Sequence, residues 1–110
     1  MPYVNITTSG TVKDKKQFLE EITILISSLT KKSNKFVMAK LEHNSDIYFG
    51  DDNCCCFLEI KSIGSIDPSK MVKPLCDFVN EKMGIPGDKI YICFEDVSAS
   101  MWGWNGRTFG

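Results

Sequence analysis

Long apolar runs are missing from this sequence, and so is an excess of either charge. No apolar stretch approaches the roughly 18 residues that a membrane-spanning helix needs, so we expect no membrane insertion. The net charge of −1 provides no bulk attraction to nucleic acid or to an anionic membrane. The N-terminus lacks a basic region followed by an apolar stretch, so we expect no secretory signal peptide and a cytoplasmic location.

Histidine is scarce, and the cysteines show no paired spacing. His43 is the single histidine, and the odd set of five cysteines fits free thiols better than a disulfide framework. Neighbouring residues of a strand point to opposite faces, so the run Cys54 to Cys56 is poorly arranged to chelate one metal ion. We therefore expect neither a disulfide scaffold nor a zinc site, and no cofactor.

The first half of the chain reads as a strand, a helix and a second strand. Residues 3–8 alternate with period two and contain strand-forming residues. From about Lys13 to Lys31 the spacing becomes helical, with an apolar stripe at Phe18, Leu19, Ile22, Leu25, Ile26 and Leu29. The second strand is predicted from Phe36 to Leu41, with residues 47–49 as a short addition after a polar turn.

The second half repeats this order. A third strand is predicted from Cys55 to Ile60 and a fourth from Lys89 to Glu95. Between them, helical spacing runs from Met71 to Met83, and Gly84 is well placed to end that helix. Pro74 interrupts the pattern because it has no backbone N–H, so the helix should either begin late or kink there.

This element order predicts one α/β (α+β) domain over residues 1–110, made of two β-α-β units. Right-handed crossovers between parallel strands would place both helices on one face of a four-stranded sheet. The strands carry apolar residues on both sides, for example Phe57 beside Leu58 and Tyr91 beside Ile92. Because an uncovered apolar face needs a partner, we expect a homo-oligomer in which sheets pack together.

Six short motifs lie in order along the whole chain: Met1 and Pro2 before the first strand, Lys32 four residues before Phe36, Phe49 with Gly50, residues 62–64, residues 88–92 and residues 104–109. In order and spacing they resemble one known family, that of macrophage migration inhibitory factor and D-dopachrome tautomerase. The resemblance implies a barrel-like homotrimer with three active sites at subunit boundaries. It also implies keto–enol tautomerase activity, an isomerase reaction, on aromatic α-keto acids such as phenylpyruvate, with dopachrome-type isomerisation as a related activity.

The resemblance gives Pro2 the role of catalytic base. Once Met1 is removed, Pro2 carries a free secondary amine, and an α-amino group ordinarily titrates near ~7.7–8.0. An apolar surrounding and nearby cations both favour its neutral form, which can take a proton from a carbon next to a carbonyl. The family also places a lysine beside the proline, and Lys32 matches it, with Lys31 and Lys35 as neighbouring candidates for the same role.

The remaining site residues come from the same resemblance. Ile63 matches the position whose backbone N–H binds a substrate oxygen. The pocket walls are expected from Phe36, Met38, Tyr91, Trp104 and Phe109, with Tyr91 reaching in from a neighbouring subunit. Cys93 stands at the pocket rim where better-known members have asparagine, and Phe36 replaces a tyrosine, so substrate preference is expected to differ.

A second function is compatible with the same resemblance. Members of the family act as cytokines, so the chain is alternatively a signalling protein that binds a cell-surface receptor. Such members are secreted without a signal peptide, which leaves export by a non-classical route open. Receptor binding and catalysis could coexist on one trimer.

Overall fold

A computed structural model describes residues 1–110 and contains two long helices and one main sheet. Strand β1 spans Pro2–Thr8, helix α1 Lys15–Thr30, strand β2 Met38–Glu42 and strand β3 Cys56–Ser62. Helix α2 spans Pro68–Met83 and strand β4 Ile90–Asp96, and a small hairpin of β5 (Gly103–Trp104) and β6 (Arg107–Thr108) follows. Single 3-10 turns lie at Asn34–Phe36, Gly87–Lys89 and Ala99–Met101.

The sheet has the order β2-β1-β3-β4 and is mixed. Strands β1 and β2 run parallel, as do β3 and β4, while the two central strands β1 and β3 are antiparallel. Each parallel pair is joined through one helix. The predicted pair of β-α-β units and the predicted α+β class are therefore confirmed.

Both helices pack on one face of the sheet, as predicted. The alternation within β1 and β3 sends Val4, Ile6, Leu58 and Ile60 to this face, where each is almost fully buried. Apolar residues from the two helical stripes cover them, including the buried Phe18, Ile22, Ile26, Met71, Leu75 and Val79. This layer forms the single core of the molecule.

The helix ends follow local sequence signals. Asp14 precedes α1, and its carboxylate accepts a hydrogen bond from the Gln17 N–H at 3.0 Å. Pro68 opens α2, where a missing N–H costs nothing, and Gly84 ends it in the left-handed region at φ +69°. The predicted role of Gly84 is thus confirmed. A late start of α2 is not, because the helix begins six residues before Pro74 and continues past it.

Two strand predictions were wrong in detail. Strand β2 begins at Met38 because Phe36 belongs to a 3-10 turn. Residues 47–49 form no strand; side chains hold them instead, since Phe49 packs on Tyr91 and its carbonyl accepts a hydrogen bond from Lys89. Apolar composition alone could not distinguish this loop from a strand.

The other face of the sheet is open and is less apolar than expected. Its middle row is polar, with Lys40, Asn5 and Glu59 side by side, and the Asn5 amide lies 3.4 Å from Glu59. Apolar side chains flank this row, notably Met38 and Phe57.

None of the helices is both long enough and apolar enough to span a bilayer.

Candidate active site at the Pro2 end of the sheet

A cleft lies at the end of the sheet where β1 begins. It has a volume of about 800 Å³ and a mostly apolar lining. Its walls are Met1, Pro2, Tyr3, Lys35, Phe36, Val37, Met38, Lys61, Glu95, Val97, Met101, Trp102, Gly103 and Trp104. The cleft therefore brings the N-terminus together with the 3-10 turn before β2 and the C-terminal hairpin.

Pro2 is buried at this end because it opens a central strand. It lies opposite Ser62 in the antiparallel pairing of β1 with β3. While Met1 is attached, the Pro2 nitrogen is an amide nitrogen and has no basicity. Removal of Met1 would turn this nitrogen into a secondary amine at the wall of the cleft.

The strand register places Ile63 opposite Met1. Ser9 donates its N–H to the Cys55 carbonyl at 3.2 Å, so odd-numbered residues of β1 exchange hydrogen bonds with β3. The pairing ends at Pro2 and Ser62, one residue earlier. The Ile63 N–H therefore lies next to the N-terminus.

Lys32 reaches the same point from the end of α1. Lys31 takes a left-handed conformation with φ 59° that ends the helix and turns the chain. The Lys32 ammonium then donates to the Ile63 carbonyl at 3.3 Å. The pKa of the Met1 amine is lowered, first by burial and then by the charge and contact of Lys32. A neutral amine is therefore favoured here.

Lys31 and Lys35 differ from Lys32 in their positions. Lys31 is exposed, whereas Lys35 lines the cleft with its ammonium 5.3 Å from the centre of the Phe36 ring. Of these three lysines, only Lys32 lowers the pKa of the N-terminal amine.

Three aromatic rings form a continuous wall beside the cleft. Phe36 meets Trp104 edge-on with 6.1 Å between ring centres, and Trp104 stacks on Phe109 at 6.0 Å. The β5–β6 hairpin presents the last two rings, with positive φ at Asn105 and Gly106 in its turn. The rings of Trp104 and Phe109 are parallel and that of Phe36 is perpendicular to Trp104, so the wall offers both ring faces and ring edges to an apolar ligand.

Sequence reasoning missed a row of cleft residues that crosses the whole sheet. Met38, Tyr3, Lys61 and Glu95 are successive cross-strand neighbours on the open face. Of these, only Met38 was expected in the pocket. Alternation within each strand gives the face of a residue, but the row emerges only from the strand order and register.

Comparisons with known proteins agree over nearly the full chain. The family model described as macrophage migration inhibitory factor matches residues 1–110. The chain belongs to the macrophage migration inhibitory factor family. It is 30% identical to the macrophage migration inhibitory factor homolog of Trichinella spiralis, over 99% of this chain and all of that protein. It is also 33% identical to the Xenopus tropicalis factor over 83% of each chain.

Solved structures of the family have the same fold. The homologue from Prochlorococcus marinus superposes with a TM-score of 0.91 at 38% identity, covering 98% of this chain and 99% of that one. The factor from Trichinella spiralis gives a TM-score of 0.90 at 29% identity, with coverage of 97% and 99%.

Five residues assigned to the site by family resemblance do not line the cleft: Lys32, Ile63, Tyr91, Cys93 and Phe109. Lys32 and Ile63 contact each other near the N-terminus, and Phe109 stacks on Trp104. Tyr91 and Cys93 stand on the open face of the edge strand β4, and neither lines the cleft. The Tyr91 side chain is 63% exposed, with its ring 4.5 Å from that of Phe49. A single subunit therefore does not bring these two residues to Pro2.

The cysteines form no disulfide, and no three metal-ligating side chains cluster. Burial raises the pKa of the Cys56 thiol to about 12, with smaller contributions from Cys55 and Cys76. Cys56 is therefore an unreactive core thiol.

Proposed function

We propose that the chain is a cofactor-free keto–enol tautomerase of the phenylpyruvate type, with the Pro2 amine as general base after removal of Met1. The observation that carries this proposal is the meeting of three groups at one end of the sheet. They are a buried N-terminal strand start, the Lys32 ammonium, and the Ile63 backbone, which follows the end of β3 opposite the N-terminus. Membership of the family supports an isomerase of this general kind.

The reaction needs only the movement of one proton. The neutral Pro2 amine removes a proton from the enol hydroxyl of the substrate and returns it to the adjacent carbon, giving the ketone. The reverse direction begins at carbon, and the amine ends neutral in both. The Lys32 ammonium and the Ile63 N–H would bind substrate oxygens and stabilise the negative charge that develops there.

The aromatic wall suggests the class of substrate. Phe36, Trp104 and Phe109 would pack against a planar apolar group, while Lys32 would attract a carboxylate. An α-keto acid with an aromatic ring combines both features.

We also propose that the site is completed in a homotrimer. The open sheet face leaves Phe57 partly exposed and Tyr91 largely exposed, which fits contact with another subunit. In a barrel-like trimer, Tyr91 and Cys93 of one subunit would line the Pro2 cleft of its neighbour.

The direct test is conversion of phenylpyruvate from enol to ketone, followed by ultraviolet absorbance. We expect Pro2→Gly to lose activity by about 10²- to 10⁴-fold, the typical contribution of a general base. Protein that retains Met1, identified by its mass, should be inactive because its Pro2 nitrogen is an amide. The control is Pro86→Gly, a proline before the 3-10 turn at Gly87–Lys89. Full activity in Pro2→Gly would exclude Pro2 as the base.

Receptor binding is a second candidate function. The names of the relatives refer to inhibition of macrophage migration. For this chain, binding to the receptor ectodomain for that cytokine is the corresponding measurement. Binding that survives in Pro2→Gly would separate a signalling role from catalysis.

A further inference from the structure

The loop after β3 is fixed on both sides of Ile63. The Val97 N–H donates to the Ser62 carbonyl at 2.8 Å, just before Ile63. Just after it, the Gly64 N–H donates to a carboxylate oxygen of Asp96 at 2.9 Å. The Ile63 carbonyl itself accepts from Lys32. Three backbone groups next to the Ile63 N–H are thus bound: the Ser62 carbonyl, the Ile63 carbonyl and the Gly64 N–H.

The conformation of this loop needs such support. Gly64 and Ser65 both lie in the left-handed region, with φ +67° and φ 59°. Glycine adopts that region freely, but serine does so at an energetic cost. The loop therefore has a reason to relax when its bonds are removed, and relaxation would rotate the peptide unit that carries the Ile63 N–H.

Asp96 is the one side chain that fixes this loop from the C-terminal side of Ile63. It is the last residue of β4, beside Ser62 in the parallel pairing, so the sheet itself sets its position. We infer that Asp96 is a positioning residue, whose carboxylate binds Gly64 and thereby holds the Ile63 N–H toward the substrate oxygen. This inference rests on the proposed tautomerase function.

The contact is a hydrogen bond to an acceptor oxygen, so geometry and charge can be separated. Asparagine keeps a side-chain oxygen in the same place and loses the negative charge. Alanine loses both. We expect Asp96→Ala to lower kcat for phenylpyruvate about tenfold with a smaller change in KM, since an N–H aimed at developing charge acts mainly in the transition state. Asp96→Asn should stay within about threefold of the unchanged protein.

A second measurement does not depend on activity. Amide hydrogen exchange at Gly64, whose N–H binds Asp96, should accelerate in Asp96→Ala and stay close to the original rate in Asp96→Asn, with thermal unfolding showing that both variants remain folded. Unchanged exchange and unchanged kcat in Asp96→Ala would overturn the inference. Equal loss of kcat in both variants would also overturn it, because the effect would then come from charge. Inactivity of the unsubstituted protein would instead reject the proposed function.

Discussion

Lys32 connects two parts of the site that are far apart in the sequence. Its ammonium donates to the Ile63 carbonyl and also lowers the pKa of the N-terminal amine. Burial lowers that pKa further and is the larger of the two causes. A single lysine thus contacts the loop after β3 and favours the neutral form of the N-terminal amine.

This double role gives a prediction for the dependence of activity on pH. The amine acts as a base only when neutral, so activity should rise as pH passes upward through its pKa. Lys32→Gln removes a cation that lowers this pKa, and the acidic limb of the kcat/KM profile should therefore move to higher pH, toward the ordinary value near ~8. The measurement is kcat/KM for phenylpyruvate across pH.

Lys31→Gln is the matched control, since Lys31 is the neighbouring residue and is exposed. Its profile should coincide with that of the unsubstituted protein. An unmoved acidic limb in Lys32→Gln would show that Lys32 does not tune the base.

At the scale of single residues, the sequence identifies candidates better than it identifies their neighbours. Pro2, Phe36, Met38 and Trp104 were expected together and line one cleft. Lys61 was not expected there, because its place follows from register across the sheet. Period-two spacing gives the face of a strand residue and nothing about which strand lies beside it.

At the scale of elements, helical spacing predicts the helices well because each buries one apolar stripe. Helix α2 continues through Pro74 although proline is about 3 kcal/mol less favourable than alanine inside a helix. Met71, Leu75 and Val79 are almost fully buried on this helix. Burial of such side chains contributes roughly 1.5–3 kcal/mol each, so packing outweighs the cost of the proline.

Replacing Pro74 should remove the cost that proline imposes inside helix α2. Pro74→Ala restores the N–H that can bond to the Lys70 carbonyl, and it gives up only the packing of a half-buried ring. We expect a stabilisation of about 1–2 kcal/mol, below the full propensity difference. Thermal or denaturant unfolding measures it.

Val72→Ala serves as the comparison, since Val72 lies on the exposed side of the same helix. It should change stability by less than about 0.5 kcal/mol. A destabilised Pro74→Ala protein would mean that the ring packs more strongly than its exposure indicates.

The loops show which part of the structure local sequence spacing does not predict. The contacts of Phe49 with Tyr91 and Lys89 join residues about forty positions apart. Local spacing contains no information about such contacts. The strand predicted over residues 47–49 was therefore wrong for a reason that only the tertiary structure supplies.

At the scale of the whole molecule, the open sheet face bears on whether the candidate site needs a second subunit. The sheet has free edges at β2 and β4, and its open face mixes a polar middle row with exposed apolar side chains. The two helices pack on the opposite face. Any assembly that places Tyr91 near a Pro2 cleft must therefore use the open face or its edges.

Two substitutions of an apolar residue by aspartate test whether the open face forms the subunit contacts. Phe57 lies on the open face and is 36% exposed, and Ile24 lies on the helical side and is 58% exposed. A charge buried without a partner is costly, so Phe57→Asp should weaken association at least about tenfold and lower tautomerase activity with it. Ile24→Asp should leave both unchanged, because it faces solvent in the proposed trimer. Sedimentation gives the assembled mass, and a Phe57→Asp protein that is still trimeric would place the subunit contacts elsewhere.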